Sequence, residues 1–156
     1  MMLIALLKAL HVLAVVLWVG GMAFAHFFLR PSLGLLAPEQ RVRLMHAVLG
    51  RFFAAVLWAN ALILASGLWM IGRVARQVVS TGGSFIWPLD WVVMTGAGLL
   101  MIAIFGHIRF VLYRRLDRAV QGSDIVAGAV ALADIRRWVA VNLALGVALV
   151  AGVLIY

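Results

Sequence analysis

The sequence predicts an all-α integral membrane protein, a bundle of four transmembrane helices. Of its 156 residues, 67% are hydrophobic and only 12% are charged, and the mean hydropathy is +1.16. These values lie well outside the range of ordinary globular domains. The apolar residues also fall into four runs, each close to the roughly 20 residues that a bilayer core requires. We therefore exclude a soluble enzyme and expect lipid to surround the chain.

Prolines and basic clusters separate the four apolar runs. Pro88 favours a helix start at the third run, because proline fits the first turn of a helix. Pro38 opens an amphipathic segment at residues 38–49 that can run directly into the second span. A helical segment over residues 125–137 extends the fourth span backwards. The expected spans are residues 3–29, 52–72, 89–113 and 135–156, in one transmembrane domain over residues 1–156.

The basic residues predict the orientation of the chain. With the N-terminus outside, ten of the 13 Lys and Arg residues lie at inner loops and inner helix ends. Because Lys and Arg are enriched on the cytoplasmic side, we expect both termini on the outer side, which is the periplasm in a bacterial inner membrane. The net charge of +8 thus marks sidedness, and we expect no nucleic-acid partner.

Polar side chains within the spans are the candidates for function. A polar group in hydrocarbon costs free energy and usually faces the interior of a bundle. At 100° per residue, the first span places His11, Trp18, Met22 and His26 on one face, which we expect to point inward. On the third span, His107 follows a stripe of mostly small residues that leaves room for a neighbouring helix or a flat ligand. The stripe consists of Gly96, Leu100 and Ala103.

Depth in the membrane decides which histidines can meet. At about 1.5 Å per residue from midpoints near Val16 and Met101, His26 lies roughly 15 Å toward the inner side. His107 lies roughly 9 Å toward the same side, so the two imidazoles can converge. His11 lies roughly 8 Å toward the outer side, and it needs a separate partner or a large cofactor.

Two cofactors suit these side chains, copper and haem b. Imidazole and thioether are good ligands for Cu(I), and imidazoles from two facing helices commonly hold haem in a bundle. The absence of cysteine excludes thiolate metal sites and covalent haem attachment. The candidate metal ligands are His11, His26 and His107, with Met22 and His46 as accessory ligands. The candidate haem contacts are His11, His107, Asn60, Asn142 and Arg137.

Short motifs in the first two spans resemble those of a known family. They are Leu7–His11, Trp18–Gly21, the exit through His26 to Pro31, Gly50–Phe53 and Leu64–Leu68. In these residues the chain resembles the CopD-like family of bacterial inner-membrane proteins. The Lys-Ala-Leu-His and Trp-x-x-Gly patterns also resemble the start of HemJ, a haem-containing protoporphyrinogen oxidase. The last span departs from HemJ, because no Glu or Pro follows Asn142 as in its Arg-x-x-Asn-Glu-x-Pro run.

The resemblance implies a small membrane protein of copper uptake or tolerance that works with a copper-binding periplasmic partner. We take copper handling through intramembrane histidines as the first hypothesis, without enzymatic activity. The second is a b-type haem redox protein with His107 and either His11 or His26 as axial ligands. The third is a scaffold without a cofactor, in which small residues pair helices within the chain or between copies.

Overall fold

The computed structural model describes residues 2–155, and long helices form nearly all of that part of the chain. Met1 and Tyr156, at the two ends of the expected domain, lie outside the described residues. Four helical stretches are long and apolar enough to cross a bilayer, which confirms the all-α, four-span prediction. We number these spans in chain order: Met2–Leu35, Pro38–Ser80, Leu89–Gln121 and Ile125–Ile155.

The first span changes its helix type near its end. Its π-helical turn holds one more residue than an α-helical turn, which rotates the face that follows it. His26 lies inside this turn. The elements of the span are α1 (Met2–Phe24), the π-helix Ala25–Leu29, α2 (Arg30–Ser32) and a 3-10 turn (Leu33–Leu35).

The second span is one continuous helix, α3 (Pro38–Ser80). The amphipathic segment at residues 38–49 therefore joins the span without a break. The Gln40 side chain accepts a hydrogen bond from the backbone N–H of Ala37 at 3.3 Å, which caps the start. The helix continues eight residues past the expected end at residue 72, and Gly82 turns the chain with φ +82°. A positive φ is a conformation that glycine adopts without steric cost.

The third span also continues past its expected end, and the fourth starts early. The third comprises α4 (Leu89–His107), the π-helix Ile108–Leu112 and α5 (Tyr113–Gln121). α5 buries Leu116 and Ala119, so this amphipathic end packs on the bundle. The fourth span is α6 (Ile125–Ile155), and Asp124 caps it by accepting the Ala127 N–H at 2.9 Å.

Adjacent spans run in opposite directions. His11 and Gly21 of the first span face Ser66 and Phe52 of the second, and Gly146 of the fourth faces Met101 of the third. Residues 2 and 155 therefore lie at one end of the bundle, which we call the terminal end. The opposite end, which we call the arginine end, holds Arg30, Arg41, Arg43, Arg51, Arg109, Arg114, Arg115, Arg118, Arg136 and Arg137. The side of the membrane that each end faces stays a prediction.

Aromatic residues fill the centre of the core. The rings of Trp18 and Phe53 each meet Phe105 edge to face, with centroids 6.0 and 5.8 Å apart. All three side chains are at most 3% exposed. Large apolar side chains on the outside, such as Leu13 and Trp58, are exposed on the bundle surface. This distribution indicates a lipid bilayer as the environment of the helices.

Candidate functional site

The polar face of the first span points into the bundle, as its periodicity predicts. Trp18 and Met22 are 3% and 2% exposed, and His11 and His26 at the two ends of the face are partly buried. The spacing of these residues was therefore sufficient to identify the inward face. What it could not identify is the partner of each imidazole, because that partner belongs to another span.

His11 bonds to a serine of the second span. Its Nδ1 lies 2.9 Å from the Ser66 Oγ, and Ser66 itself is 1% exposed. The Ser66 hydroxyl donates to the Leu62 carbonyl oxygen at 2.6 Å. Since a hydroxyl has one proton, the Ser66 oxygen accepts from His11, whose Nδ1 is then protonated. The Nε2 of a neutral His11 therefore carries a free lone pair. We call His11 and Ser66 the terminal-end pair.

A glycine makes room beside the terminal-end pair. A Cβ placed on Gly67 would lie 3.6 Å from the His11 Cε1, which is ordinary van der Waals contact. The absence of a side chain at this position leaves the ring edge uncovered by the second span. Sequence reasoning did not identify Ser66 as the partner of His11. A serine next to glycine inside an apolar run was the available signal.

Asn60 and Asn142 are buried in the bundle without visible partners. They are 5% and 0% exposed, and no group in residues 2–155 bonds to either carboxamide. A buried polar group left unpaired costs about 1–3 kcal/mol. Groups of this kind in native proteins usually bind water, an ion or a ligand. Both asparagines thus remain candidates for contact with a bound species.

His107 lies on the surface of the bundle and not in its interior. Its ring is exposed and packs on Trp138, with centroids 5.2 Å apart. The stripe of small residues that precedes it is also exposed. The third span instead buries larger side chains, which fill the interior at this level. These are Met101, Ile104, Phe105 and Ile108.

The structure does not bring the predicted histidines into one site. Val19 and Met101 both contact the position of Gly146, so they lie at one depth. His11 is eight residues from Val19 toward the terminal end, and His107 is six residues from Met101 toward the arginine end. At about 1.5 Å per residue, the two are about 21 Å apart in depth. No single metal ion can bind both.

His26 shares the depth of His107 but not its surroundings. It is seven residues beyond Val19, about 10 Å toward the arginine end. Its ring packs against Phe27 of its own helix, with centroids 4.9 Å apart and nearly perpendicular planes. Because His107 faces outward beside Trp138, the expected convergence of the two imidazoles is not seen.

His46 belongs to a hydrogen-bonded cluster near the arginine end, the arginine-end network. Its Nε2 lies 2.8 Å from Asp117 Oδ1, and its ring stacks on Tyr113 with an interplanar angle of 1°. The Tyr113 hydroxyl donates to the His46 carbonyl oxygen at 3.1 Å, and Gln121 donates to the other Asp117 oxygen at 3.0 Å. A carboxylate in this position orients an imidazole, whose second nitrogen can then bind a metal.

One arginine borders this network. The Arg109 guanidinium carbon lies 5.1 Å from the Tyr113 ring centroid, within range of a cation–π interaction. Arg137 is exposed on the fourth span, and its expected contact with a cofactor stays a prediction. Sequence reasoning missed Tyr113 and Asp117 as partners of His46, because they lie 67 and 71 residues away along the chain.

No preformed cluster of three metal-binding His, Asp or Glu side chains exists within residues 2–155. A bound copper ion would therefore need fewer imidazoles, supplemented by other donors such as thioethers. Two- and three-coordinate sites with soft ligands suit Cu(I) better than Cu(II), which prefers tetragonal nitrogen and oxygen sites.

Comparison with known protein families identifies the family to which this chain belongs. The model of the family described as copper resistance protein D matches residues 46–155. The match contains His46, Asn60, His107 and Asn142 and begins after the first span. No curated protein and no solved structure matches the chain. Since the matched residues make up more than half of the sequence, the chain belongs to the CopD family and is a membrane protein related to copper resistance.

Proposed function

We propose that this CopD-family chain handles copper in a bacterial inner membrane, in uptake or tolerance, with His11 as its principal ligand. The observation that carries the proposal is the hydrogen bond between His11 Nδ1 and Ser66 Oγ at 2.9 Å. It orients the imidazole and leaves Nε2 free to coordinate. The neutral ring is the form that binds metals, and a bond at its second nitrogen strengthens such binding.

The polar residues receive different roles under this proposal. Met22 and His26 continue the inward face of the first span and serve as accessory ligands. His46 is a third accessory ligand at the arginine end, where Asp117 fixes its ring. His107 has no role in copper binding under this proposal, because its imidazole is exposed beside Trp138.

The charge distribution suggests which side receives copper. Because the arginine end collects ten basic residues, we place it on the cytoplasmic side and both termini in the periplasm. His11 then lies in the periplasmic half of the membrane. A copper-binding periplasmic partner could deliver Cu(I) at this end, where the His11 imidazole would receive it.

The described residues do not fit haem b. A haem held between the first and third spans needs facing axial ligands, and His107 is turned away from the interior. Ile104, Phe105 and Ile108 fill the interior at that level and are at most 8% exposed. We therefore derive no function through haem.

Copper binding by detergent-purified protein tests the proposal. Cu(I) is titrated under anaerobic, reducing conditions against a chromophoric chelator. We expect wild-type protein to retain copper, His11→Gln to bind less copper, and His107→Gln to behave as wild type. The His107 variant is the matched control, because it removes an imidazole from the surface.

Three results would contradict the proposal. Equal copper binding by wild type and His11→Gln would remove His11 as the ligand. A Soret band that shifts on reduction would point to haem b. A colourless protein that binds no copper would leave the scaffold hypothesis, with the spans serving only for pairing within the chain or between copies.

A further inference from the structure

We propose a second copper(I) site in the middle of the bundle, formed by the thioether sulfurs of Met22 and Met101 and the carboxamide oxygen of Asn142. The proposal rests on the copper function proposed above and adds ligands that its histidines do not provide. It concerns a level of the bundle at which the first, third and fourth spans meet.

Gly146 defines this point of approach. A Cβ on Gly146 would lie 3.0 Å from the methyl carbon of Met101 and 3.0 Å from Cγ2 of Val19. Both distances are tighter than ordinary van der Waals contact, so glycine allows a close approach at this position. The first and third spans therefore both contact the fourth span at the depth of Gly146.

Met22 and Asn142 lie just below that level, toward the arginine end. Met22 follows Val19 by three residues, and Asn142 precedes Gly146 by four on a span that runs in the opposite direction. At about 1.5 Å per residue, they lie about 4.5 and 6 Å from the level of Gly146. Both side chains face the interior, with exposures of 2% and 0%. Met101 is 3% exposed at the level itself.

The chemistry of these three side chains suits Cu(I). Thioethers are soft donors that select Cu(I), and an amide oxygen serves as a weak additional ligand in some copper sites. Neither amide atom of Asn142 has a hydrogen-bond partner within the part of the chain that the structure describes. A fully buried carboxamide with free bonding capacity, one helical turn from the glycine that Met101 contacts, is the observation that points to a bound ion. Methionine side chains are also flexible enough to close on a metal.

Aromatic rings shield this region from water. Trp18 and Phe105 are both 3% exposed, and their rings meet edge to face with centroids 6.0 Å apart. An apolar wall favours a monovalent ion with soft ligands over a hydrated divalent ion, because stripping water from the divalent ion costs more free energy. His11 lies about 12 Å nearer the terminal end, so copper would move from an imidazole to thioethers.

X-ray absorption at the copper edge tests this site. Wild-type protein is loaded with Cu(I) without oxygen, and so are Met22→Leu, Met101→Leu and the double variant. Leucine nearly preserves the volume of methionine, so we expect the bundle to fold, as checked by circular dichroism and gel filtration. We expect sulfur scatterers in wild type, fewer in each single variant and none in the double variant. Met70→Leu and Met94→Leu are the matched controls, and they should keep the wild-type spectrum.

The outcomes separate this inference from the copper function itself. Bound copper with only nitrogen and oxygen scatterers in wild type would overturn the thioether site and leave the His11 proposal standing. Sulfur scattering that persists in the double variant would also overturn it. If the wild-type protein binds no copper at all, the proposed function itself is overturned. If the double variant fails to fold, the wild-type spectrum and the two single variants still decide.

Discussion

The terminal-end pair and the arginine-end network differ in how many contacts between spans hold the imidazole. The His11 ring bonds to the Ser66 hydroxyl and also contacts the Ile63 backbone, both on the second span. His46 is fixed by the Asp117 carboxylate, lies flat on Tyr113 and also receives the tyrosine hydroxyl at its carbonyl oxygen. Both clusters join residues of different spans.

This difference separates the principal ligand from an accessory ligand that also supports the packing. Side chains that are held by several contacts between spans stabilise the packing of the elements that they join. An oriented imidazole with an unpaired ring nitrogen is prepared to bind a metal. We therefore expect substitutions in the arginine-end network to lower stability and those at the terminal-end pair to lower copper affinity.

The largest expected effect is on stability, from Gly50→Val in the arginine-end network. A Cβ at Gly50 would lie 2.5 Å from the Tyr113 hydroxyl oxygen. The tyrosine is held by His46 and Phe53 and cannot move aside freely. We expect a loss of about 1–3 kcal/mol, measured by thermal unfolding in detergent. Gly72→Val is the control, because apart from its chain neighbours and its own helix backbone no heavy atom of the described residues lies within 4 Å of its Cβ position. Equal unfolding temperatures of Gly50→Val and Gly72→Val would contradict this account of the network.

The second effect is on copper affinity, from Ser66→Ala. The hydroxyl that orients His11 is lost while the imidazole remains, so we expect Cu(I) affinity to fall about tenfold or more. Competition with a chelator measures the change. Ser80→Ala removes a serine hydroxyl that bonds only to the carbonyl of Gln77 on its own helix, and it should bind copper as wild type does. An unchanged affinity in Ser66→Ala would show that the hydrogen bond does not prepare the ligand.

The third effect is smaller and again concerns stability. Tyr113→Phe removes the hydrogen bond to the His46 carbonyl oxygen but keeps the stacked rings. We expect a loss of about 1 kcal/mol, the usual contribution of one hydrogen bond, seen as a lower unfolding temperature. Copper affinity should stay at the wild-type value. A drop in affinity without a change in melting would reverse the roles of the two clusters.

The smallest effect is expected at the surface, from Glu39→Gln. Glu39 and Arg43 form an ion pair at 2.7 Å, but their side chains are 54% and 66% exposed. Exposed pairs at this helical spacing contribute at most about 0.5 kcal/mol. Melting of this variant should coincide with wild type within that range. A larger loss would mean that charge at the start of α3 contributes to the fold.

Hydrophobicity and helical periodicity were sufficient to predict the four spans and the inward face of the first. They did not predict how far α3 and α5 extend, because no strong helix breaker marks the expected ends near residues 72 and 113. The periodicity of the third span was too weak to orient His107, since apolar residues surround the helix on every side.

Partners of the polar residues were harder to predict than the helices. Ser66 and Asp117 lie 55 and 71 residues from the histidines that they contact, and helical spacing carries no information across such distances. The family resemblance was noted in the first two spans, whereas the family model matches residues 46–155. Membership in the CopD family thus supports copper as the metal of this chain. The assignment of His11 as a copper ligand depends on the geometry of the first span.

The protonation of His11 tests the central claim most directly. Nitrogen-15 NMR of protein labelled at its four histidines, with His11→Gln to assign the signals, reports which ring nitrogen carries the proton. We predict a proton on Nδ1, a free Nε2, and a shift of the Nε2 resonance when silver(I) is added as a redox-inert substitute for Cu(I). A proton on Nε2, or a resonance that does not respond to silver, would contradict the assignment of His11 as the copper ligand.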